Sequence, residues 1–479
     1  MLFNSFEFAV FFPLVVALYY LLPQSQRLPF LLLASCVFYM AFIPVYILIL
    51  FVTITIDYIA GIYIERSEGS ARKIWLVASI VSTCAVLFVF KYFNFFTGSF
   101  VGLANLFGWH LPEVVAHIIL PIGLSFHTFQ SLSYVVEVYR GKQRAETHFI
   151  TYSTYVMFFP QLVAGPIERP QNLLHQFYEH HDFDYGRITA GLKRMAWGFF
   201  KKLVVADRLA LYVNDVYANP RNFNGLQLSI ATVFFAYQIY CDFSGYSDIA
   251  LGSAQVLGFK LMENFRTPYY SLSIGEFWHR WHISLSTWFR DYVYIPLGGS
   301  RYGLGRWLLA IMVTFAISGL WHGANWTYVV WGVLNGVYLI TGKATKNLRD
   351  RFFAAVGLRV ETLPRRVIML ATTFLLICVG WVIFRARNIT DAWYVLTHFA
   401  VGWNLHQIGT EQFLMRQMPI AIAAIIALEI GQLWHGRFPV PAIVGRLPLI
   451  PRWAAYASFV MAVIIFGVYR NSQFIYFQF

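Results

Sequence analysis

Residues 307–342 carry no Asp, Glu, Lys or Arg, an uncharged run of 36 residues between Arg306 and Lys343. A bilayer core of about 30 Å is crossed by about 20 apolar residues, at about 1.5 Å of rise each. One crossing cannot hold the run, so it predicts two helices joined by a turn. No other feature constrains the chain so tightly, because backbone at that depth must satisfy its own hydrogen bonds, which a helix does. One histidine, His322, stands inside the run. It must be hydrogen-bonded structurally or reach a polar cavity, and an ionisable group at membrane depth is a functional candidate by default.

The rest of the chain agrees with a lipid-solvated protein. It is 58% hydrophobic and 12% charged, with a mean hydropathy of +0.57, whereas soluble domains carry about 25% charged residues. The net charge of +13 does not point to nucleic acid. Its sources lie in short stretches between apolar spans, as cytoplasmic loops do under the positive-inside rule. The four cysteines, Cys36, Cys84, Cys241 and Cys378, sit in apolar stretches without CxxC spacing, so neither a disulfide frame nor a zinc site is expected. Leu2 to Leu22 is apolar but lacks a basic start and an Ala-x-Ala site; it reads as a retained first membrane helix.

Apolar spans fall near 6–22, 28–64, 74–96, 116–138, 149–164, 189–214, 227–257, 307–342, 367–385, 417–434 and 453–469. Pro44 should divide 28–64 in two, so the expectation is an all-α polytopic membrane protein with about 11–13 crossings. No repeat or low-complexity linker divides it, and residues 1–479 read as one integral-membrane domain. Basic loops at 65–73 and 139–148 place those segments in the cytoplasm, and 97–117, without Lys or Arg, outside. The firmest cytoplasmic segment is 343–366, with Lys343, Lys346, Arg349, Arg351, Arg359, Arg365 and Arg366. Arg301 and Arg306 put the other flank of the uncharged run on the same side. His322 then lies about 24 Å along a helix from Arg306, between the midplane and the outer half.

A second block, residues 274–292, places Ile274, Phe277, Trp278, Trp281, Leu285, Trp288, Phe289 and Tyr292 at helical spacing, over an arc of about 120°. His282 projects about 20° beyond its edge. Two readings stay open: an amphipathic interfacial helix with tryptophan anchors, or a re-entrant helix turning His282 inward. For His322, Gly319 and Gly323 would let backbone or ligand approach the imidazole, with Trp321 and Trp326 walling a pocket. It either hydrogen-bonds across two helices or acts as a general base near neutral pH. No GxSxG, His-x4-Asp, GxxxxGK[ST] or HExxH pattern occurs. A lone base acting on the acceptor is the simplest chemistry the residues allow.

Weaker signals remain. Asp242 and Asp248 flank Phe243-Ser244-Gly245-Tyr246-Ser247 and could belong to an ion pathway or a hydrogen-bonded structural cluster. The glycines of 297–306 read as a basic turn in preference to a phosphate cradle. His175, His180, His181, Asp182 and Asp184 are too irregularly spaced for a metal site, and none is expected.

Five ordered blocks together resemble the membrane-bound O-acyltransferase family along essentially the whole chain. They are Phe-Pro-Gln-Leu-Val-Ala-Gly-Pro-Ile-Glu-Arg (159–169), Asp-Phe-Ser-Gly-Tyr-Ser-Asp-Ile-Ala (242–250), Asn264-Phe265 with Pro268-Tyr269, the tryptophan–histidine block 277–292, and Leu-Trp-His-Gly-Ala (320–324). The terminal Phe-Ile-Tyr-Phe-Gln-Phe extends the likeness. Within the family the chain is similar to the bacterial alginate O-acetyltransferase branch, related to acetylases of cellulose and peptidoglycan and to the teichoic-acid D-alanyl transferase.

The resemblance implies a catalytic histidine at His322 and a second functional polar position at His282. His279 stands where arginine is commoner, so no role is expected of it. It also implies a bundle with re-entrant or oblique helices around a central tunnel, for whose lining Trp281, Trp321, Asn264, Asp291, Asp242, Ser244 and Tyr246 are candidates. The implied activity is O-acetylation of an exported polysaccharide at the bacterial inner membrane, directly or through a periplasmic partner acetylase. No bound cofactor is expected; the donor would be acetyl-CoA. An acyl-carrier-protein thioester, as for a D-alanyl-type transferase, and a non-enzymatic transporter remain rival readings.

Overall fold

In the computed structural model the described residues are 1–112, 115–116, 120–163, 165–359, 361–404, 417–437, 444–469 and 474–475, with backbone alone at 434–437. Ala164 of the 159–169 block, residues 117–119 of the 116–138 span and residues 476–479 of the terminal block lie outside them. The described residues contain helices and no strand. They form two compact units, Met1–Met195 with Tyr246–Met262, and Ala196–Gly245 with Glu263–Phe479.

The first unit holds α1 (Phe6–Leu21), α2 (Gln24–Met40), α3 (Tyr46–Arg66), α4 (Gly69–Leu87), α5 (Phe93–Leu106), α6 (Leu124–Tyr139), α7 (Phe149–Met157), α8 (Phe159–Leu162) and α9 (Pro170–Leu173). The expected break at Pro44 separates α2 from α3. A π-helical turn, Phe88–Tyr92, joins α4 to α5, so this apolar helix runs on from Gly69 to Leu106. The 149–164 stretch is no crossing: α7 has 9 residues and α8 has 4, and the former reaches only about 14 Å. Inside this unit a membrane-depth carboxylate, Asp57, is satisfied by hydroxyls, accepting from Ser79 at 2.6 Å and from Thr83 at 3.1 Å.

Two helices pass from one unit to the other along the chain, α10 (Tyr185–Phe199) and α12 (Gly225–Leu257). The second unit adds α11 (Asp207–Ala218), α13 (Ile274–Arg280), α14 (Ile283–Phe289), α15 (Leu304–His322), α16 (Trp326–Ala344), α17 (Lys346–Ala355), α18 (Leu363–Arg385), α19 (Ile389–His398), α20 (Met418–Arg437) and α21 (Leu449–Phe466). Five described helices are long and apolar enough to cross a bilayer: α3, the α4–α5 helix, α15, α18 and α21.

The uncharged run folds as expected into the hairpin α15–α16. Its close approach is made by glycine: a Cβ at Gly319 would collide with the Tyr328 carbonyl, and one at Gly332 with that of Phe315. Asn325 caps α16, its side chain accepting from the Thr327 amide at 3.0 Å. At the other end Lys343 lies over the Trp307 ring at 4.2 Å, so both feet of the hairpin meet. The basic stretch 343–366 is not a loop; it contains α17, and Arg365 is buried against Asp350 and the Phe353 ring.

Candidate active site

Residues 274–292 do not form the continuous helix that their periodicity predicts. Helix α13, capped by Ser273, stops at Arg280, and α14 starts at Ile283. Between them Trp281 is extended, and His282 adopts φ 43°, ψ 54°, the left-handed region. That conformation costs a non-glycine residue about 1–2 kcal/mol and persists only where surroundings enforce it.

The enforcing residue is Asn264, buried at 1% exposure. Its carbonyl accepts from the Ile283 amide at 3.0 Å, and the Arg266 amide donates to the Arg280 carbonyl at 2.9 Å, so the backbone groups freed by the break are satisfied. The Asn264 Oδ1 accepts from the Ser284 amide at 3.3 Å and the Ser284 hydroxyl at 3.0 Å. An amide N–H can only donate, which fixes the orientation of the Asn264 amide. The same oxygen lies 3.1 Å from His282 Nδ1. The proton of a neutral His282 is therefore on Nδ1, and Nε2 carries the basic lone pair.

His282 is 2% exposed. The Phe243 ring meets its imidazole edge to face at 4.5 Å. Phe243 is backed in turn by Phe474, at 5.7 Å, and its neighbour Asp242 accepts the Ile475 amide at 2.7 Å. Asp242 also pairs with buried Lys202 at 2.6 Å, and Lys202 donates to Asp207 at 2.8 Å. Lys201 donates to the Ser244 hydroxyl at 3.0 Å. Of the two readings of the Asp242 motif, the structure displays the hydrogen-bonded structural cluster.

His322 is the last residue of α15, 6% exposed, where the chain leaves the helix through extended Gly323. Trp331 of α16 meets its ring edge-on at 5.1 Å, and Phe384 of α18 at 5.6 Å. The space beside Gly319 and Gly323 is filled by Tyr328, not left open to a ligand. Trp326 is exposed, so Trp331 and Phe384 form the wall expected of Trp321 and Trp326. Trp321 itself is half-buried. The aromatic wall continues from Trp331 to Trp381 at 6.0 Å and from Trp381 to Trp281 at 5.1 Å, which brings it to the residue before His282.

The structure thus brings His322, His282, Asn264 and Trp281 into one region of the second unit. Asp291 pairs with Arg290 at 2.7 Å in a separate π-helical turn, Arg290–Tyr294. Tyr246 belongs to the first unit, where it stacks on Phe3 at 4.5 Å. Sequence reasoning missed Trp331, Phe384 and the Lys202–Asp207 pair. Adjacent lysines within Phe199-Phe200-Lys201-Lys202-Leu203-Val204 were a signal, because charge at such depth requires partners. Among the described residues no group of His, Cys, Asp and Glu could hold a metal ion.

An all-helical membrane protein with two buried imidazoles against an aromatic wall has the equipment for proton transfer away from water. Residues 74–384 match the membrane-bound O-acyltransferase family, and the chain belongs to that family and is an O-acyltransferase. It is 39% identical over 436 residues to a probable alginate O-acetylase of Azotobacter vinelandii, covering 89% of this chain and 83% of the relative. A probable alginate O-acetylase of Pseudomonas putida is 36% identical over 99% of both chains. A peptidoglycan O-acetyltransferase of Helicobacter pylori is 32% identical, over 83% of this chain and 79% of the relative.

Proposed function

We propose that this O-acyltransferase sits in the bacterial inner membrane and moves acetyl groups from cytoplasmic acetyl-CoA to hydroxyls of an exported polysaccharide. Transfer is direct or passes through a periplasmic partner acetylase. The observation that carries the reading is the placement of His322: a buried imidazole at the head of a hairpin whose two feet are basic. The names of the relatives, which specify alginate and peptidoglycan, support an extracytoplasmic polymer as acceptor.

In this mechanism His322 takes the proton of the acceptor hydroxyl as its oxygen attacks the thioester carbonyl. The tetrahedral intermediate collapses with loss of the thiolate, and the imidazolium returns its proton to that sulfur. An ester and a free thiol result, with no net change in protons. General-base assistance contributes about 10²–10⁴-fold. The nucleotide of the donor is charged and stays on the cytoplasmic side; only its flexible thiol arm enters.

The test is release of free coenzyme A from labelled acetyl-CoA by purified protein with an acceptor oligosaccharide, in wild type and His322→Ala. Loss of at least about 100-fold with unchanged folding is expected. Retention of a tenth of the activity or more would remove His322 from the role of base. Uptake of acceptor without any release of coenzyme A would establish the transporter reading instead.

A further inference from the structure

A threonine inside a helix commonly satisfies its hydroxyl by donating to the carbonyl four residues earlier. Two threonines of the α15–α16 hairpin do so: Thr314 donates to the Ala310 carbonyl at 2.6 Å, and Thr341 to that of Val337 at 2.8 Å. Thr327 cannot. It lies in the first turn of α16, and the residue four before it, Gly323, is extended and outside the helix. The Thr327 amide donates to the Asn325 side chain at 3.0 Å. The Thr327 hydroxyl is buried, in a residue 1% exposed, and has no hydrogen-bond partner among the described residues. A buried hydroxyl in that state is rare and costly enough to need a reason.

Helix geometry puts this hydroxyl beside His322. Thr327 and Trp331 are four residues apart and share one face of α16. Side chains on a helix lean toward its N-terminus, so the Trp331 indole covers the turn that carries Thr327, and Thr327 leans toward the open end. The Trp331 ring meets the His322 imidazole at 5.1 Å. Phe384 meets the same imidazole at 5.6 Å and also Tyr328, the residue after Thr327, at 4.9 Å. The first turn of α16 and the His322 ring therefore share one aromatic enclosure. Helix α16, 19 residues long, directs the positive end of its dipole to the same place.

We propose that the Thr327 hydroxyl, at the positive end of α16, is the oxyanion donor of acyl transfer. The assignment rests on the acetyl-transfer reading above and adds a catalytic residue to it. As the acceptor oxygen bonds to the thioester carbon and His322 takes its proton, the carbonyl π-pair moves onto the carbonyl oxygen. Thr327 donates a hydrogen bond to that oxygen and keeps its own proton throughout. On collapse the pair re-forms the carbonyl, the C–S bond breaks, and the departing thiolate is protonated by His322. A hydroxyl with no partner to leave needs no reorganisation at that moment, which is the condition for an effective donor.

Thr327→Val keeps the shape of the side chain and removes the hydroxyl. In the full-length protein, kcat for coenzyme A release from acetyl-CoA should fall about 10²–10³-fold, with KM for acetyl-CoA within about threefold of wild type. Melting in detergent should stay level or rise, because the change deletes a buried polar group that has no partner. Thr327→Ser should restore most of kcat. The trifluoromethyl ketone analogue of acetyl-CoA, which hydrates to a tetrahedral centre, should bind wild type at least about tenfold more tightly than Thr327→Val. Coenzyme A itself should bind both alike. Turnover of Thr327→Val within about twofold of wild type would overturn the assignment. So would a melting point that falls in step with activity, which marks a structural hydroxyl. In either case an inactive His322→Ala leaves the acetyl-transfer reading standing, whereas no coenzyme A release by wild type refutes that reading and the assignment together.

Discussion

Asn264→Ala should disable the site without touching either histidine. In the wild type one oxygen, Asn264 Oδ1, serves the His282 ring at 3.1 Å, the Ser284 amide at 3.3 Å and the Ser284 hydroxyl at 3.0 Å. The hydroxyl can rotate to another acceptor, but the amide and the ring N–H cannot. Two buried donors are stranded, at about 1–3 kcal/mol each, so the expected loss is about 2–6 kcal/mol. That is a large share of a typical stability of about 5–15 kcal/mol. The loss falls on a junction already held in the left-handed region. The melting midpoint in detergent, followed by tryptophan fluorescence, should fall clearly. Coenzyme A release, measured well below that midpoint, should fall about as far as in His282→Ala, because the tautomer with Nε2 as acceptor is no longer fixed. Asn264→Asp, which keeps an acceptor oxygen in place, should retain much more of the fold. If Asn264→Ala melts within about 2 °C of wild type and turns over within about twofold, Asn264 does not hold the break and the tautomer assignment fails.

Three further outcomes follow from the same geometry. Gly319→Ala should destabilise the hairpin by about 1–3 kcal/mol, because its Cβ meets a backbone carbonyl that cannot step aside. Gly305→Ala in the same helix meets nothing within 4 Å and should stabilise by up to about 1 kcal/mol, and equal melting shifts would refute the packing argument. Lys202→Met removes the buried ion pairs with Asp207 and Asp242 and should cost about 3–5 kcal/mol, read as loss of folded protein on size exclusion. Cysteine in place of exposed Thr345, in a functional background lacking native cysteines, should react only with reagent applied from the cytoplasm; labelling from outside would invert the proposed topology.

The parts of this architecture visible in the sequence are those set by local composition. The uncharged run 307–342 is too long for one crossing, and it folds into two helices with His322 at their junction. Pro44 ends one helix and separates it from the next for the reason given by its ring. The break at Trp281–His282 was not visible, because aromatic residues keep helical spacing straight through it. What breaks the helix is Asn264, 18 residues earlier in the chain. No periodicity over 274–292 reports a side chain approaching from outside the segment. The glycines around His322 left two readings open for a related reason. Small residues admit either a ligand or a neighbouring helix, and only the position of Tyr328 decides between them.

The longest-range contact at the site shows why its electrostatics resist a local reading. The Ile475 amide and Asp242 are separated by 233 residues, and their hydrogen bond is buried. Read alone, Asp242 is a membrane acid of undefined purpose; in the fold it pairs with Lys202 and accepts the Ile475 amide. That arrangement seats Phe474 behind Phe243, and Phe243 closes one face of the His282 imidazole. Asn264 fixes the proton of that ring from another direction. The left-handed conformation of His282 is thus enforced from both sides, by an amide that sets its hydrogen bond and by an aromatic stack anchored on a buried ion cluster. Strain of about 1–2 kcal/mol at one residue is small beside the interactions that hold it. An imidazole so constrained cannot change rotamer to follow a proton, so a proton at His282 enters or leaves through Nε2 alone.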